Sequence, residues 1–383
     1  MSTDHGATAR RVGFLELFFD LVFVFAVTQL VSLLHGDHSA AGWGRASLMM
    51  WLVWWAWSQY TWSGNAIDLD RRSTRLWMLV ASGAMLGAAA AIPTAFDDMG
   101  EWFALPYAGM RLLGLALYWL GQHDTTYRAA LRLYLPIASV GPVLVLAGGL
   151  VDDGARVALW AAALAVDVVS VLAAGRREFH VDPGHFAERH GLIVIIALGE
   201  SVIATGATAS DVGLDRDVMI LLATAFVAVA ALWWSYFDWV HHAAEARLVS
   251  ESDHRRRGHL ARDLFTLGHL PIVAGTVVFA AAIEEGLVHP TVSMEPFAVT
   301  ALAVGPALYL AGFVIGNARA TGHLLWTRLA GLVVVVSFAL FAGPRSNAIV
   351  STAGVAVAIV AIAAIEGVTR SSPHRASSVA AHG

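Results

Sequence analysis

The chain has 383 residues, of which 57% are hydrophobic and 14% are charged. A soluble domain carries about 25% charged residues, so this composition is typical of a polytopic helical membrane protein. The net charge is −5 and there is no basic tract, which argues against nucleic acid as a partner. Cysteine and lysine are both absent, which excludes disulfides, thiol catalysis and Schiff-base chemistry.

Twelve apolar stretches approach or exceed the length of about 18 residues that a membrane span needs. They lie at 13–35, 45–63, 75–96, 102–122, 129–150, 155–174, 190–210, 217–241, 260–283, 296–317, 323–342 and 347–367. We therefore predict an all-α, polytopic protein with about twelve transmembrane helices in a lipid bilayer. The sequence is also compatible with a homo-oligomer.

The arginines predict the orientation of these spans. Nineteen of the 24 basic residues, all of them arginine, fall at the termini or in loops on the side of the termini, and only four fall in the opposite loops. Cytoplasmic loops carry the excess of positive charge. We predict that both termini are cytoplasmic and that the protein lies in the inner membrane of a bacterium.

Short patterns recur in the same order in the two halves of the chain. Trp54-Trp55 in span 2 matches Trp233-Trp234 in span 8, and the Ala-Leu-Tyr that ends at Tyr118 matches the one that ends at Tyr309. Six spans per half predict two parallel repeats. The predicted divisions are a cytoplasmic segment at 1–12, a first repeat at 13–174, a cytoplasmic linker at 175–189, a second repeat at 190–367 and a disordered tail at 368–383.

Span 1 carries two acids in an otherwise apolar helix. Glu16 and Asp20 are four residues apart and therefore share one helical face. Each would cost roughly 2.5–3.5 kcal/mol at the centre of a bilayer, so we expect them to face protein or water. They form either a cation or proton site or an ion pair with an arginine of a neighbouring helix. Thr28 and Gln29 extend the polar content of this span.

Span 7 is the second candidate. Glu200 lies near its middle, and Ser201 and Thr205 line one helical face. Glu188 and His190, with Arg189 between them, are expected at the cytoplasmic edge, as an interfacial anchor.

Further ionisable residues inside spans include Arg111, Asp167, Asp238 and His269. Arg111 needs a carboxylate partner in the membrane, and Glu200 or Asp20 is predicted as that partner. A single histidine such as His269 is more often a hydrogen-bonded structural residue than a proton relay.

Glycines four residues apart predict close helix packing in span 3 (Gly83, Gly87) and in span 10 (Gly312, Gly316).

The loop from Asn65 to Asp70 carries acids that could bind a metal–diphosphate. No P-loop, dinucleotide-binding or zinc-protease motif is present. No cofactor and no metal site is predicted.

Two long motifs resemble the signatures of the bacterial low temperature requirement A family. They are Leu15-Glu-Leu-Phe-Phe-Asp-Leu-Val-Phe-Val-Phe-Ala-Val-Thr-Gln-Leu30 and Glu188-Arg-His-Gly-Leu-Ile-Val-Ile-Ile-Ala-Leu-Gly-Glu-Ser-Val202. The segments Trp233–Phe237 and His289-Pro290 fit as well. The resemblance covers roughly residues 10–367 and implies an integral membrane protein, without implying a molecular activity.

The first helix is also similar, more distantly, to that of a potassium and proton channel family of lysosomes and bacteria. That likeness implies that Asp20 matches a motif aspartate and that spans 1 and 7 line a pore. Phe14 and Phe19 stand where that family has arginine and serine.

The leading hypothesis is an ion channel or secondary transporter for a small cation or proton. One alternative is a membrane-embedded enzyme acting on a lipid or isoprenoid, with Glu200 or Asp20 as general acid. Another is a structural or accessory membrane protein.

Overall fold

The computed structural model describes residues 11–175 and 177–380, without the side chains of Asp153, Trp239 and residues 369–380. Within these ranges the chain is helical and contains no β-strand, which confirms the all-α prediction. The helices are α1 (Phe14–Gly36), α2 (Ala40–Gly64), α3 (Arg72–Ala91), α4 (Gly100–Gly121), α5 (Thr125–Ala138), α6 (Val140–Gly149), α7 (Asp153–Ala174), α8 (Pro183–Val212), α9 (Arg216–Ser235), α10 (His241–Ser250), α11 (His254–Leu260), α12 (Gly268–Val288), α13 (Pro296–Thr321), α14 (Trp326–Ala342) and α15 (Ala348–Ala380).

These helices cover all twelve predicted spans. Eleven helical segments of the described chain are long and apolar enough to cross a membrane. The remaining span is α2, which has 25 residues but is rich in tryptophan and carries serine and glutamine. Span 5 is covered by α5 and α6, which meet at Ser139 because Pro142 lacks the N–H that would bond the carbonyl of Ala138.

The chain divides into two compact units. One comprises Met1–Ile196 and Ala243–Thr266, and the other Ala197–His242 and Leu267–Gly383. The parallel six-plus-six repeat is not confirmed and stays a prediction. Residues 1–10 of the predicted N-terminal segment and 381–383 of the predicted disordered tail lie outside the described chain.

In the first unit, α1 packs against α2 and α3, α4 against α3 and α6, and α7 against α2, α5 and α6. Large aromatic side chains fill the space between these helices. Trp57, Tyr60 and Tyr107 are at most 1% exposed. The hydroxyl of Tyr60 donates to the carbonyl of Met110 on α4 at 2.8 Å, and that of Tyr107 donates to the carbonyl of Leu52 on α2 at 3.0 Å. These bonds fix α2 against α4.

In the second unit, α12 packs against α13, α13 against α14, and both α9 and α14 against α15. Glycines allow the backbones of α12 and α13 to approach closely. A Cβ at Gly275 would lie 2.5 Å from the carbonyl oxygen of Gly305, and one at Gly312 would lie 2.5 Å from that of Gly268. The prediction of close packing is confirmed for Gly312.

The same prediction is wrong for Gly83 and Gly87 of α3. A Cβ at either position would have no described atom within 4 Å. The spacing of four residues places two glycines on one face but does not say which face meets another helix.

We expect Gly275→Ala to destabilise the protein by roughly 1–3 kcal/mol, because the added methyl group would push α12 and α13 apart. Gly83→Ala is the matched control, and its methyl group enters open space. Thermal unfolding in detergent measures both variants. A Gly275→Ala protein as stable as the wild type would contradict the close approach of the two helices.

Candidate functional site

Two acids of α1 meet a histidine and an arginine of α8. The Nη2 of Arg189 donates to Oδ1 of Asp20 at 2.6 Å, and its Nη1 lies 3.5 Å from Oε1 of Glu16. The Nε2 of His185 lies 3.0 Å from Oε2 of Glu16. All four side chains are at most 1% exposed. We call Glu16, Asp20, His185 and Arg189 the α1–α8 cluster.

Trp57 of α2 completes the surroundings of Asp20. Its indole N–H donates to Oδ1 of Asp20 at 2.8 Å, and the guanidinium of Arg189 lies 5.7 Å from the centre of its ring, which is within cation–π range. Oδ2 of Asp20, Nδ1 of His185 and Nε of Arg189 are buried without a hydrogen-bond partner among the described residues. The cluster therefore retains hydrogen-bonding capacity for a small ligand.

The early start of α8 brings the cluster together. The side chain of Asp182 accepts a hydrogen bond from the backbone N–H of His185 at 3.2 Å, which satisfies one of the free donors of the first turn. His185 and Arg189 are four residues apart and therefore share a face. The side chain of Asn65, at the end of α2, accepts a hydrogen bond from the N–H of Asp182 at 2.9 Å and holds this turn in place.

The prediction of an interfacial anchor at the start of span 7 is wrong for two of its residues. Arg189 and His190 are 0% exposed, because α8 begins at Pro183, about two turns before the predicted span. Nδ1 of His190 lies 2.8 Å from the carbonyl of Phe186. Glu188 is half-buried, and its Oε2 accepts the backbone N–H of Val12 at 3.0 Å.

Arg111 pairs with Asp167, so the predicted pairing with Glu200 or Asp20 is wrong. The Nη2 of Arg111 donates to Oδ1 of Asp167 at 2.9 Å, and both side chains are 1% exposed. The Nε donates to the side chain of Gln59 at 2.6 Å and Nη1 to the hydroxyl of Tyr107 at 3.0 Å. Asp20 is held by Arg189 instead. The guanidinium of Arg111 is thus surrounded by acceptors within the first unit.

The other polar residues predicted in span 1 and span 7 lie outside the α1–α8 cluster. The hydroxyl of Thr28 donates to the carbonyl of Val24 at 3.2 Å, and Gln29 is half-buried. Ser201 and Thr205 are buried on one face of α8, as predicted, and line an apolar cavity of the second unit. Glu200 is half-buried and is not among the residues that line that cavity.

His269 is hydrogen-bonded, as its apolar setting predicts. Its Nε2 lies 2.8 Å from the hydroxyl of Tyr236, and both residues are buried. Tyr236 begins a π-helical turn, Tyr236–Val240, that follows α9. Asp238 lies in this turn and is exposed. π-turns often occur at functional sites.

Sequence reasoning missed a third buried ion pair. Arg328 of α14 donates to both carboxylate oxygens of Glu366 on α15, at 2.9 and 2.8 Å, and to the carbonyl of Ser235 at 2.7 Å. The position of Arg328 at the start of a span suggested a loop residue. The acid Glu366 inside the last apolar span was the available signal.

His185 and Trp57 were missed as well. His185 falls in the predicted linker at 175–189, and Trp57 is one of several tryptophans in α2 with no pattern to distinguish it. The loop acids considered for a metal–diphosphate lie at the surface, where Asp68 is 3.3 Å from Arg71 and Asp70 is 3.0 Å from Arg75.

Comparison with known proteins identifies the family. The model of the bacterial low temperature requirement A protein (LtrA) family matches residues 11–365. The chain belongs to the LtrA family. A relative, the uncharacterized protein RA0937 of Rhizobium meliloti (strain 1021), is 31% identical over 366 residues, which is 92% of this chain and 88% of that protein. No solved structure matches the chain.

We expect Asp167→Asn to destabilise this LtrA protein by roughly 3–5 kcal/mol, because it leaves the buried guanidinium of Arg111 without a counter-charge. The double variant Arg111→Gln with Asp167→Asn removes both charges and should regain part of that loss. Thermal unfolding in detergent measures all three proteins. Equal stability of Asp167→Asn and the wild type would refute a structural role for this pair.

Proposed function

We propose that this LtrA protein moves protons, or a small monovalent cation, across the membrane and that the α1–α8 cluster is the binding site on the path. The observation that carries the proposal is the charge of the cluster. Glu16 and Asp20 are two carboxylates that share one guanidinium, that of Arg189. The cluster is buried, and a buried net charge is costly.

A single proton or monovalent cation balances the cluster. With both carboxylates ionised and His185 neutral, the four side chains carry one net negative charge. A proton on His185, which lies 3.0 Å from Glu16, makes the sum zero.

Each residue has a separate role in this proposal. Glu16 and His185 share the mobile proton, and Asp20 keeps Arg189 in place while offering its free Oδ2 to the passing ion. Trp57 orients Asp20 through its indole N–H. Arg111 and Asp167 form a fixed pair outside the path, because their charges cancel and their remaining bonds are to protein.

We expect Asp20→Asn and His185→Gln to reduce proton or potassium flux by about tenfold or more, since the first removes a carboxylate of the cluster and the second removes the ring that contacts Glu16. The measurement is flux into liposomes that contain purified protein, normalised to folded protein. Asp98→Asn is the matched control, because it removes an exposed carboxylate in the loop before α4.

A second readout separates transport from structure. The second readout is the unfolding temperature of each variant in detergent, measured beside its flux. If the cluster only holds α1 and α8 together, the variants will lower the unfolding temperature and leave the flux per folded molecule unchanged. That result would refute the proposal and redirect the search to lipid substrates.

We further propose that the protein lies in the bacterial inner membrane with both termini in the cytoplasm. The excess of arginine in the loops on the side of the termini supports this orientation. Arg189 and Arg328, which were counted on that side, are buried in ion pairs. When these two arginines are left out of the count, most of the arginines outside the spans still lie on the side of the termini.

We expect an Ala41→Cys variant to react with a membrane-impermeant maleimide in intact cells, and a Ser73→Cys variant to react only after permeabilisation. Both positions are exposed, at the start of α2 and of α3 respectively. The wild type has no cysteine and provides a background-free control. The reverse pattern of labelling would invert the proposed orientation.

A further inference from the structure

The first unit contains a cavity with aromatic walls, separate from the α1–α8 cluster. The empty space among its lining residues is about 710 Å³, a value that includes the open mouth. Trp55, Trp62, Tyr118, Tyr134 and Phe179 contribute rings to its lining. Phe179 lies edge-on to Trp62 and to Tyr134, with ring centres 6.0 and 6.2 Å apart. Such walls suit a flat apolar body.

Cationic residues also line this cavity. Arg177, between α7 and α8, is exposed and has no ion-pair partner among the described residues. Arg262 binds Asp263 through Nε and Nη2, at 2.8 and 3.2 Å, and its Nη1 has no acceptor in the described part of the chain. His259 lies beside them and contacts the carbonyl of Gly175 with Nε2 at 2.6 Å. The free donors favour an anion.

Two buried tyrosines also line this cavity. Tyr118 and Tyr134 are 3% and 9% exposed, and no hydrogen bond of either hydroxyl is found among the described residues. Gln59 lines the same region, and its amide is engaged with Arg111. The two phenols are therefore available to donate to a ligand.

We propose that this cavity binds an amphipathic organic anion. Its phosphate or carboxylate lies on Arg177 and Arg262, its flat apolar body lies between the aromatic walls, and a carbonyl or similar acceptor receives the hydroxyl of Tyr134. Positive charge, apolar surface and phenol hydroxyls all occur in this one cavity, and a ligand that combines an anionic group, an apolar body and an acceptor would contact each of them. The inference does not depend on ion transport.

The test uses soluble probes that differ by one feature. 4-Methylumbelliferyl phosphate carries a phosphate and, at the opposite end of its ring system, a carbonyl. 1-Naphthyl phosphate lacks the carbonyl, 7-methoxy-4-methylcoumarin lacks the charge, and inorganic phosphate lacks the body. Binding is measured by calorimetry with the full chain in phosphatidylcholine nanodiscs, and empty nanodiscs give the partition background. We expect saturable binding of 4-methylumbelliferyl phosphate, and binding about tenfold or more weaker for the last two probes.

Variants test each part of the site. Arg177→Gln should weaken binding of both aromatic phosphates by about tenfold, whereas Arg72→Gln, which removes an exposed arginine that does not line the cavity, should not. Tyr134→Phe should weaken 4-methylumbelliferyl phosphate to the level of 1-naphthyl phosphate and leave the latter unchanged. Val171→Phe, which fills the cavity, should abolish binding while thermal unfolding verifies the fold.

Two results would overturn the proposal. One is binding of 4-methylumbelliferyl phosphate that Arg177→Gln and Val171→Phe leave unchanged. The other is no binding above that of empty nanodiscs. Phosphatidylglycerol nanodiscs distinguish the natural source of the anion: they raise the apparent Kd of the probe if a lipid headgroup occupies the site, and leave it unchanged if a soluble anion does.

Discussion

The pairing of buried charges is the constraint on which the rest of this structure depends. A charged side chain in the apolar part of a membrane is too costly to leave without an opposite charge or several acceptors. Arg111, Arg189 and Arg328 are each at most 1% exposed, and each holds a carboxylate of another helix. These contacts fix the rotation of each helix about its axis. Turning a helix by the angle of one residue would separate the charged side chain from its partner.

The three buried arginines differ in the net charge that each forms with its carboxylate partners. Arg111 and Arg328 each meet one carboxylate, so their charges cancel. Arg189 meets two, and His185 contacts one of them. This imbalance is what distinguishes a candidate ion site from a structural pair. A protein that needed only to fasten α1 to α8 could do so with one carboxylate.

Several features of the fold were predictable because they depend on local sequence. The hydropathy of a span depends only on its own consecutive residues and not on the helices that pack against it. The helical class and the twelve predicted spans therefore follow from the sequence. Glu16 and Asp20 share a face because their spacing matches the helical period. The predicted span 7 begins too late because Pro183-Gly-His185 is polar and is typical of a loop, although the side chain of Asp182 caps a helix that starts there.

The sequence by itself thus determined the membrane class, the family resemblance and the presence of charges that need partners. Only the tertiary structure decided which residue forms an ion pair with each of these charges. Asp20 and Arg189 are 169 residues apart, and Arg111 and Asp167 are 56 apart. The periodicity of a helix gives the face of a residue but not the neighbour that the face meets. That neighbour is set by the packing of all the helices in the unit, and no local pattern encodes it.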